Sequence, residues 1–405
     1  MKECFKAVQM TDRVYWVGAI DWNIRDFHGY STHRGTTYNA FLILADRVTL
    51  VDTVKRHFLD ELMGRIASVI DPGRIDTIIS NHSEMDHTGC LPEVIRRVNP
   101  SRVIVSAMGA KALRDHFDET MPLETVADGG RVDLGNLSLL MFETRMLHWP
   151  DSMVAYLEEE GLLFSQDAFG MHLASSQRFD DELDEPILYQ EAAKYYANIL
   201  LPYSQLVQKQ LDRLGRLGFS TRLIAPDHGP VWRTNPGRVV QWYARWAEQK
   251  PTRKAVIAFD TMWGSTDLMA RAISDGLHAG GIATKLMHLG GCHRSDVATE
   301  LLEAGALLVG TPTLNVNMFP TVADLMVYLR GLKPKHLLAG AFGSYGWACR
   351  GVPQVLDILK EMNLEIVGEG PTVVYVPKPG DLARCFDYGL EVARQLEARL
   401  TRAAE

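Results

Sequence analysis

The chain has 405 residues, more than a single hydrophobic core usually holds, so two domains are predicted. Hydrophobic residues make up 46% and charged residues 23%, as in ordinary globular proteins, and a net charge of −8 without a Lys/Arg-rich run argues against a nucleic-acid partner. No apolar run reaches membrane-spanning length, no signal peptide is recognisable, and the five cysteines form no CxxC pair. These features predict a reducing cytoplasm, without disulfides or a cysteine-ligated iron site.

The first domain, predicted over residues 1–250, mixes strands with loops and a few helices. Residues 38–52 read as a hairpin, and residues 76–80 as a short buried strand. Helical patterns cover 187–217 and 238–249. Further strands are predicted at 102–106, 137–142, 153–157, 162–165 and 222–225.

The second domain, predicted over residues 254–405, begins after a break at Pro251. Its strands and helices alternate strictly, which predicts a doubly wound, five-stranded parallel sheet. The predicted strands are 255–260, 282–289, 306–311, 336–343 and 372–377. The predicted helices are 266–279, 295–304, 320–331, 351–362 and 380–402.

A dense group of metal-binding side chains follows the strand at 76–80. His82, Glu84, Asp86 and His87 lie within six residues, on a loop at the carboxyl end of that strand. Imidazole and carboxylate donors suit zinc, iron or manganese. One isolated histidine is usually a surface or core residue, but this clustering favours a metal site.

Three further candidate ligands lie at later strand ends. They are His148 in a Leu-His-Trp-Pro-Asp-Ser run, Asp167 after Ser165-Gln166, and His228 in Pro226-Asp227-His228-Gly229. One metal ion does not need seven donors. A two-metal centre, with one carboxylate between the ions and open positions for substrate, accounts for all of them.

The metal motif resembles the HxHxDH signature of the metallo-β-lactamase superfamily, which is followed by a distant His, Asp and His. Here Glu84 replaces the second histidine of that signature. A carboxylate makes the site harder and more anionic, which suits iron better than zinc. The same replacement marks the flavodiiron proteins, which the chain therefore resembles.

Three loops of the second domain independently resemble the FMN site of flavodoxins. Each follows a strand at the edge where open α/β folds bind ligands, and the first is rich in hydroxyls at a helix N-terminus. Trp347 and Tyr345 are candidates to stack on the flavin ring. No GxGxxG pattern indicates an NAD site. The candidate flavin-binding residues are Thr261, Met262, Trp263, Gly264, Ser265, Thr266, Thr311, Pro312, Thr313, Leu314, Asn315, Gly343, Ser344, Tyr345, Gly346 and Trp347.

The flavodiiron resemblance covers nearly the whole chain and includes the stretches 17–22, 35–40 and 260–263. It implies a metallo-β-lactamase-like αβ/βα sandwich followed by a flavodoxin-like domain. It further implies that one iron takes His82, Glu84 and His148 and the other takes Asp86, His87 and His228. Asp167, together with an oxo or hydroxo group, would bridge them, and in some members the residue matching His87 does not ligate.

The resemblance also implies an activity: reduction of O₂ to water or of NO to N₂O, with electrons relayed through FMN. His28, Tyr195 and Tyr196 resemble pocket-lining residues of the family, although plain packing explains them equally well. A head-to-tail homodimer, or a dimer of such dimers, would bring the flavin of one subunit to the iron of the other. Rubredoxin or a reduced deazaflavin would supply the electrons.

Two other functions compete with this interpretation. A zinc hydrolase with an attached flavodoxin-like domain would use the same histidines, but Glu84 and the flavin loops argue against it. A flavin electron carrier or gas sensor would need no intact metal site, yet all seven donors are present. The sequence does not decide between O₂ and NO, and the run Ala348-Cys349-Arg350 departs from the family's small residues beside the flavin.

Overall fold

A computed structural model describes residues 4–118 and 120–404. Its contacts divide the chain into two units, Met1–Tyr195 with Gln205–Ala244, and Tyr196–Ser204 with Arg245–Glu405. Among the described residues, no helix combines the length and the apolar character that crossing a membrane requires.

Among the described residues, the first unit contains two large sheets, two separate pairs of short strands and several short helices. Its strands are β1 (Val8–Gln9), β2 (Val14–Trp16), β3 (Ala19–Asp21), β4 (Asp26–Phe27), β5 (Tyr30–Ser31), β6 (Thr36–Tyr38), β7 (Phe41–Ile43), β8 (Thr49–Val51), β9 (Thr77–Ile79), β10 (Arg102–Val105), β11 (Leu123–Thr125), β12 (Arg131–Asp133), β13 (Ser138–Glu143), β14 (Met153–Leu157), β15 (Leu162–Gln166) and β16 (Leu223–Pro226). Its helices are α1 (Leu59–Ala67), α2 (Met85–Thr88), α3 (Leu91–Val98), α4 (Ala107–His116) and α5 (Glu185–Tyr195). A π turn, Tyr196–Leu200, follows α5 and belongs to the second unit. The helices α6 (Ser204–Arg216) and α7 (Pro236–Glu248) come next and lie in the first unit except for the start of α6 and the end of α7.

The two sheets pack face to face. One has the order β1-β2-β7-β8-β9-β10-β11 and the other the order β12-β13-β14-β15-β16. Along β7, Phe41 and Ile43 enter the core between the sheets, whereas Leu42 packs on the opposite face, in the core that includes α1, α3 and α4. This alternation follows from the two-residue period of a strand. The predicted sandwich of sheets with flanking helices is confirmed.

The second unit is built on parallel strands separated by helices. Its strands are β17 (Lys254–Phe259), β18 (Ala283–His288), β19 (Ala306–Gly310), β20 (Thr313–Leu314), β21 (Asn317–Met318), β22 (Leu338–Tyr345), β23 (Glu365–Ile366) and β24 (Thr372–Val374). Its helices are α8 (Ser265–Ala279), α9 (Arg294–Leu301), α10 (Pro320–Leu332), α11 (Gly351–Glu361) and α12 (Pro379–Ala404). The sheet order is β18-β17-β19-β22-β23.

The fifth position of this sheet is divided between two short strands. β23 pairs with the start of β22 and β24 with its end, both in parallel. Gly370 lies between them, and a Cβ there would come 1.7 Å from the Ala341 carbonyl oxygen. The sequence predicts a doubly wound parallel sheet, which is confirmed, with this interruption as its refinement.

Two short hairpins lie in stretches where no strand is predicted from the sequence. β4 and β5 flank the turn residues His28 and Gly29, and β20 and β21 flank Asn315 and Val316. All four turn residues have positive φ, between 49° and 75°. This pattern is that of a type I′ turn, which matches the twist of the paired strands.

Candidate metal centre and flavin cavity

The loop after β9 holds four of the seven predicted metal ligands. The chain leaves the strand, passes through His82 and Glu84, and enters α2, which contains Asp86 and His87. Glu84 occupies the N-cap of this helix, and Thr88 Oγ1 donates to the Glu84 carbonyl at 2.9 Å. Because the helix is only one turn long, this hydrogen bond to its backbone helps to fix the directions of the Glu84, Asp86 and His87 side chains.

The other three predicted ligands arrive from the second sheet. His148 follows β13, Asp167 follows β15 and His228 follows β16. β15 and β16 are parallel neighbours, so their carboxyl ends lie at the same edge of the sheet. Both sheets therefore direct donors into one buried cluster.

Three of the donors surround one oxygen of Asp167. Asp167 Oδ2 lies 3.2 Å from the Nε2 atoms of both His82 and His148. Glu84 Oε2 lies 3.1 Å from His148 Nε2 and 3.7 Å from His82 Nε2. His82, Glu84, His148 and one side of Asp167 thus form the first group.

The other three donors face the second oxygen of Asp167. Asp86 Oδ2 lies 3.2 Å from the Nε2 atoms of both His87 and His228. Those two nitrogen atoms are 3.7 and 3.6 Å from Asp167 Oδ1. The structure therefore brings all seven predicted ligands together, with Asp167 between two groups of three.

The buried polar atoms of this cluster fit bound cations. Neither carboxylate oxygen of Asp86 or Asp167 has a hydrogen-bond partner, and the same holds for both ring nitrogens of His82. All three residues are at most 4% exposed. Burying unpaired carboxylates costs several kcal/mol unless a positive charge compensates them. Nitrogen and oxygen donors without sulfur match iron, zinc or manganese.

The electrostatics of the cluster also indicate a site for bound cations. Burial disfavours the charged form of His148, yet Asp167 and Glu84 raise its pKa to about 9. Burial likewise opposes ionisation of Asp167, but His82 and His148 hold its pKa well below the usual value. The carboxylates thus stabilise positive charge at the histidine nitrogens, which is where metal ions would place it.

The three predicted pocket residues lie in different surroundings. His28 Nε2 makes a short contact with Glu84 Oε1. Tyr195 is buried, and its ring lies edge-on to His172 with centroids 5.2 Å apart. Tyr196 belongs to the second unit, where its hydroxyl donates to Ser204 at 3.2 Å. Consecutive helical residues point about 100° apart, so adjacent tyrosines do not line one pocket.

Two buried residues beside the cluster escaped the sequence analysis. Asp227 Oδ2 lies 3.8 Å from His82 Nδ1 and 3.9 Å from His87 Nδ1. The His172 ring lies 4.6 Å from that of His228, and burial holds its pKa well below the ordinary value. Asp227 is adjacent to His228 in the chain, and this adjacency could have identified it as a site residue. His172 is not adjacent to any other candidate ligand, so the sequence gives no signal that it belongs to the site.

A cavity of about 360 Å³ opens among the carboxyl ends of β17, β19 and β22. Its volume falls in the range of small-molecule and cofactor sites. Eleven of the sixteen predicted flavin-binding residues line it, and Val316, Ala348, Tyr375 and Val376 complete the lining without having been predicted. The eleven are Met262, Trp263, Ser265, Pro312, Thr313, Leu314, Asn315, Ser344, Tyr345, Gly346 and Trp347.

The five other predicted flavin-binding residues do not line the cavity but make contacts that hold its loops in place. Thr261 Oγ1 accepts the Gly264 N–H, and Gly264 is the N-cap of α8 with φ +83°. Thr266 Oγ1 lies 3.4 Å from Ser344 Oγ. The first turn of α8 offers backbone N–H groups without acceptors in the helix, and these suit a phosphate.

Thr311 and Gly343 hold the other two flavin loops in place. Thr311 Oγ1 accepts the Phe319 N–H at 2.9 Å. A Cβ on Gly343 would come 1.8 Å from the Thr311 carbonyl oxygen, so only glycine permits this approach of the two loops. The run after Trp347 stays attached as well, because the Arg350 N–H donates to Thr313 Oγ1 at 3.3 Å.

Family models match both halves of the chain. Residues 36–229 match the ODP family of β-lactamases and residues 257–389 match flavodoxin. The nitric oxide reductase of Moorella thermoacetica is 46% identical, over 96% of this chain and 98% of its own. The rubredoxin-oxygen oxidoreductase of Megalodesulfovibrio gigas is 40% identical (98% and 99%), and the coenzyme F420H₂ oxidase of Methanothermobacter marburgensis 39% identical (96% and 98%).

Solved structures agree with these sequence matches. The rubredoxin oxygen:oxidoreductase of Desulfovibrio gigas superposes with a TM-score of 0.96 at 40% identity, covering 98% of this chain and all of that one. The flavodiiron protein of Giardia intestinalis superposes with a TM-score of 0.94 at 31% identity, covering 98% of each chain. Similarity of this extent reaches through both halves of the chain.

Proposed function

The chain belongs to the flavodiiron proteins, and we propose from this premise that it reduces O₂ to water, NO to N₂O, or both. The reaction takes place at a non-haem diiron centre that receives electrons through FMN. The observation that carries this proposal is the pair of three-donor groups, one on each oxygen of Asp167.

In this proposal the seven clustered side chains hold the two irons. His82, Glu84 and His148 would hold one ion, and Asp86, His87 and His228 would hold the other, with Asp167 shared. Bound ferrous ions and reduced FMN together supply four electrons, which matches full reduction of O₂, whereas coupling two NO molecules needs two.

The surrounding protein orients these donors. His28 contacts one oxygen of Glu84 and leaves the other directed at His148. Burial raises the pKa of Tyr195 well above its ordinary value, so its hydroxyl keeps its proton beside the cluster. Residues in such positions fix the direction and basicity of metal ligands.

FMN is proposed to occupy the cavity in the second unit. Its phosphate would lie at the first turn of α8, beside Ser265, and its ring between the loops at 312–316 and 344–347. Trp263 and Trp347 are 88% and 91% exposed at the rim. Such exposed aromatic surface is uncommon on a monomer and marks a contact site.

We further propose a head-to-tail homodimer, or a dimer of such dimers, in which these aromatic residues meet the partner subunit. The electron donor would be rubredoxin or a reduced deazaflavin, because relatives bear the names of both activities. We propose domain boundaries at 1–250 and 254–405, and the family matches over residues 36–229 and 257–389 support a division between them. A cytoplasmic location is proposed on the five free cysteines.

Anaerobic rapid mixing of the reduced protein tests the proposed activity. Photoreduced protein with two irons and one FMN per chain is mixed with O₂ or with NO, and flavin oxidation and N₂O are recorded. Fast oxidation by either gas is expected. An Asp167→Ala variant that retains FMN should be oxidised far more slowly by both. Two zinc ions with no FMN, or no reaction with either gas, would contradict the proposal.

A further inference from the structure

The segment β6 and the residue after it bind the turn that carries His228. This stretch, residues 35–40, stands out in the sequence, yet none of it contributes a candidate ligand. We propose that Asn39 is a positioning residue that fixes the 226–229 turn and so sets the affinity of the Asp86–His87–His228 group for iron. The inference rests on the proposed diiron function.

Asn39 makes three hydrogen bonds to the backbone of this turn. Its backbone N–H donates to the Asp227 carbonyl at 2.7 Å. Its side-chain Nδ2 donates to the Pro226 carbonyl at 2.7 Å and to the Gly229 carbonyl at 2.9 Å. The carbonyls on both sides of His228 are therefore held by one residue, which is fully buried.

The remaining atom of the Asn39 amide is held by Trp16. The indole Nε1 donates to Asn39 Oδ1 at 2.8 Å. An indole N–H can only donate and a backbone carbonyl can only accept, so the orientation of the amide is unambiguous. No carboxylate or aliphatic side chain offers two donors and one acceptor at this position.

Trp16 itself is in contact with two cationic side chains. The guanidinium groups of Arg65 and Arg178 lie 4.6 and 4.5 Å from the centre of its ring. Arg178 is only 4% exposed, and its Nε and Nη2 atoms have no hydrogen-bond partner. These two cation–π contacts help to hold the indole in place.

Thr37, which lies on β6, also binds the turn that carries His228. Its carbonyl lies 2.6 Å from His228 Nδ1, and its hydroxyl accepts the Gly229 N–H at 2.7 Å. A hydrogen bond at Nδ1 selects the imidazole tautomer that leaves Nε2 free to ligate. Thr37 therefore sets the ring, and Asn39 sets the backbone from which the ring extends.

Iron retention tests this role without measuring turnover. We compare Asn39→Asp, which keeps an oxygen for Trp16 but loses both donors, and Trp16→Phe, which removes only the indole N–H and some packing. Phe41→Leu is the control, because Phe41 is equally buried two residues away but makes no polar contact with the turn. Each protein is titrated anaerobically with a ferrous chelator, and the melting temperature of its iron-free form is measured.

In Asn39→Asp, we expect a chelator concentration about 10- to 100-fold lower than in the wild type to remove one of the two irons. In Trp16→Phe, the decrease in this concentration should be smaller. Phe41→Leu should retain both irons like the wild type, although its iron-free form melts earlier. If Asn39→Asp does not fold, Trp16→Phe decides the question.

Retention equal to the wild type, or a loss no greater than that of Phe41→Leu at equal destabilisation, would overturn the inference. It would leave the diiron proposal intact. A wild-type protein that binds no iron would instead contradict the proposed function itself.

Discussion

At the scale of single residues, Glu84 separates this cluster from a site built of histidines. Its Oε2 faces His148 at 3.1 Å while Oε1 meets His28, so both oxygens of the side chain are engaged. A histidine in this position would offer one nitrogen and no charge. The carboxylate therefore adds negative charge to a centre that already holds Asp86 and Asp167, and such a hard, anionic donor set favours iron over zinc.

Replacing this carboxylate should shift the metal preference. We expect Glu84→His, loaded anaerobically with equimolar ferrous iron and zinc, to bind a lower ratio of iron to zinc than the wild type and to lose gas reduction. Elemental analysis of the desalted protein measures the ratio. Glu369→His, an exposed change in the second unit, should leave it unaltered. An unchanged ratio in Glu84→His would show that this ligand does not select the metal.

The adjacent tyrosines offer a matched pair of substitutions. Tyr195→Phe should slow oxidation of the reduced protein by gas without changing its iron content, because the Tyr195 ring lies 6.1 Å from that of His228. Tyr196→Phe should leave that rate unchanged and cost about 1 kcal/mol of unfolding free energy through the lost bond to Ser204. Rapid mixing and denaturant titration of both variants provide the comparison. Equal rates for the two would remove Tyr195 from the mechanism.

The clustering of the seven candidate ligands could be predicted because each follows a strand and several are adjacent in sequence. His172 could not, since one histidine between Met171 and Leu173 looks like any core residue. Nor could the contrast between Tyr195 and Tyr196, which depends on the phase of one helix. Asn39 is the clearest omission: its partners lie 23 and almost 190 residues away, and only the tertiary structure brings them together.

At the scale of elements, both sites use a two-residue hairpin turn. The first hairpin places His28 on Glu84, and the second places Asn315 and Val316 at the flavin cavity. Long strands and helices were predictable to within a few residues because their periodicity extends over many positions. Strands of two residues have no periodicity, and Asn-Val lacks the glycine that usually marks such a turn.

Val316 is the strained member of the second turn. It has φ +63°, a conformation that costs a β-branched residue about 1–2 kcal/mol, yet its side chain is 56% exposed at the cavity. Strain of this kind persists where function requires the side chain. Val316→Gly should therefore raise the melting temperature of the FMN-free protein and weaken FMN binding.

Asn315→Gly serves as the control, because asparagine tolerates φ +49° and little strain is relieved there. Differential scanning calorimetry and a fluorescence titration with FMN measure the two effects. A Val316→Gly protein that is no more stable, or that binds FMN as tightly as the wild type, would contradict this account of the turn.

At the scale of the whole molecule, the proposed head-to-tail dimer determines which flavin reduces which iron centre. Asp167→Ala removes the residue shared by both donor groups but leaves the flavin cavity intact. Gly346→Trp adds an indole to the lining of that cavity and leaves the metal cluster intact. Neither variant alone has both cofactors, so each should be inactive.

Mixing the two variants in equal amounts, under conditions that exchange subunits, should restore about a quarter of the wild-type rate. Half of the dimers would then be mixed, and each mixed dimer has one complete flavin–iron pair out of two. The oxidation rate after reduction by a common donor measures the recovery, and size-exclusion chromatography confirms the dimers. If the flavin instead served the iron of its own chain, no chain in the mixture would hold both cofactors. The rate would then stay at the sum of the parents, and the head-to-tail arrangement would be excluded.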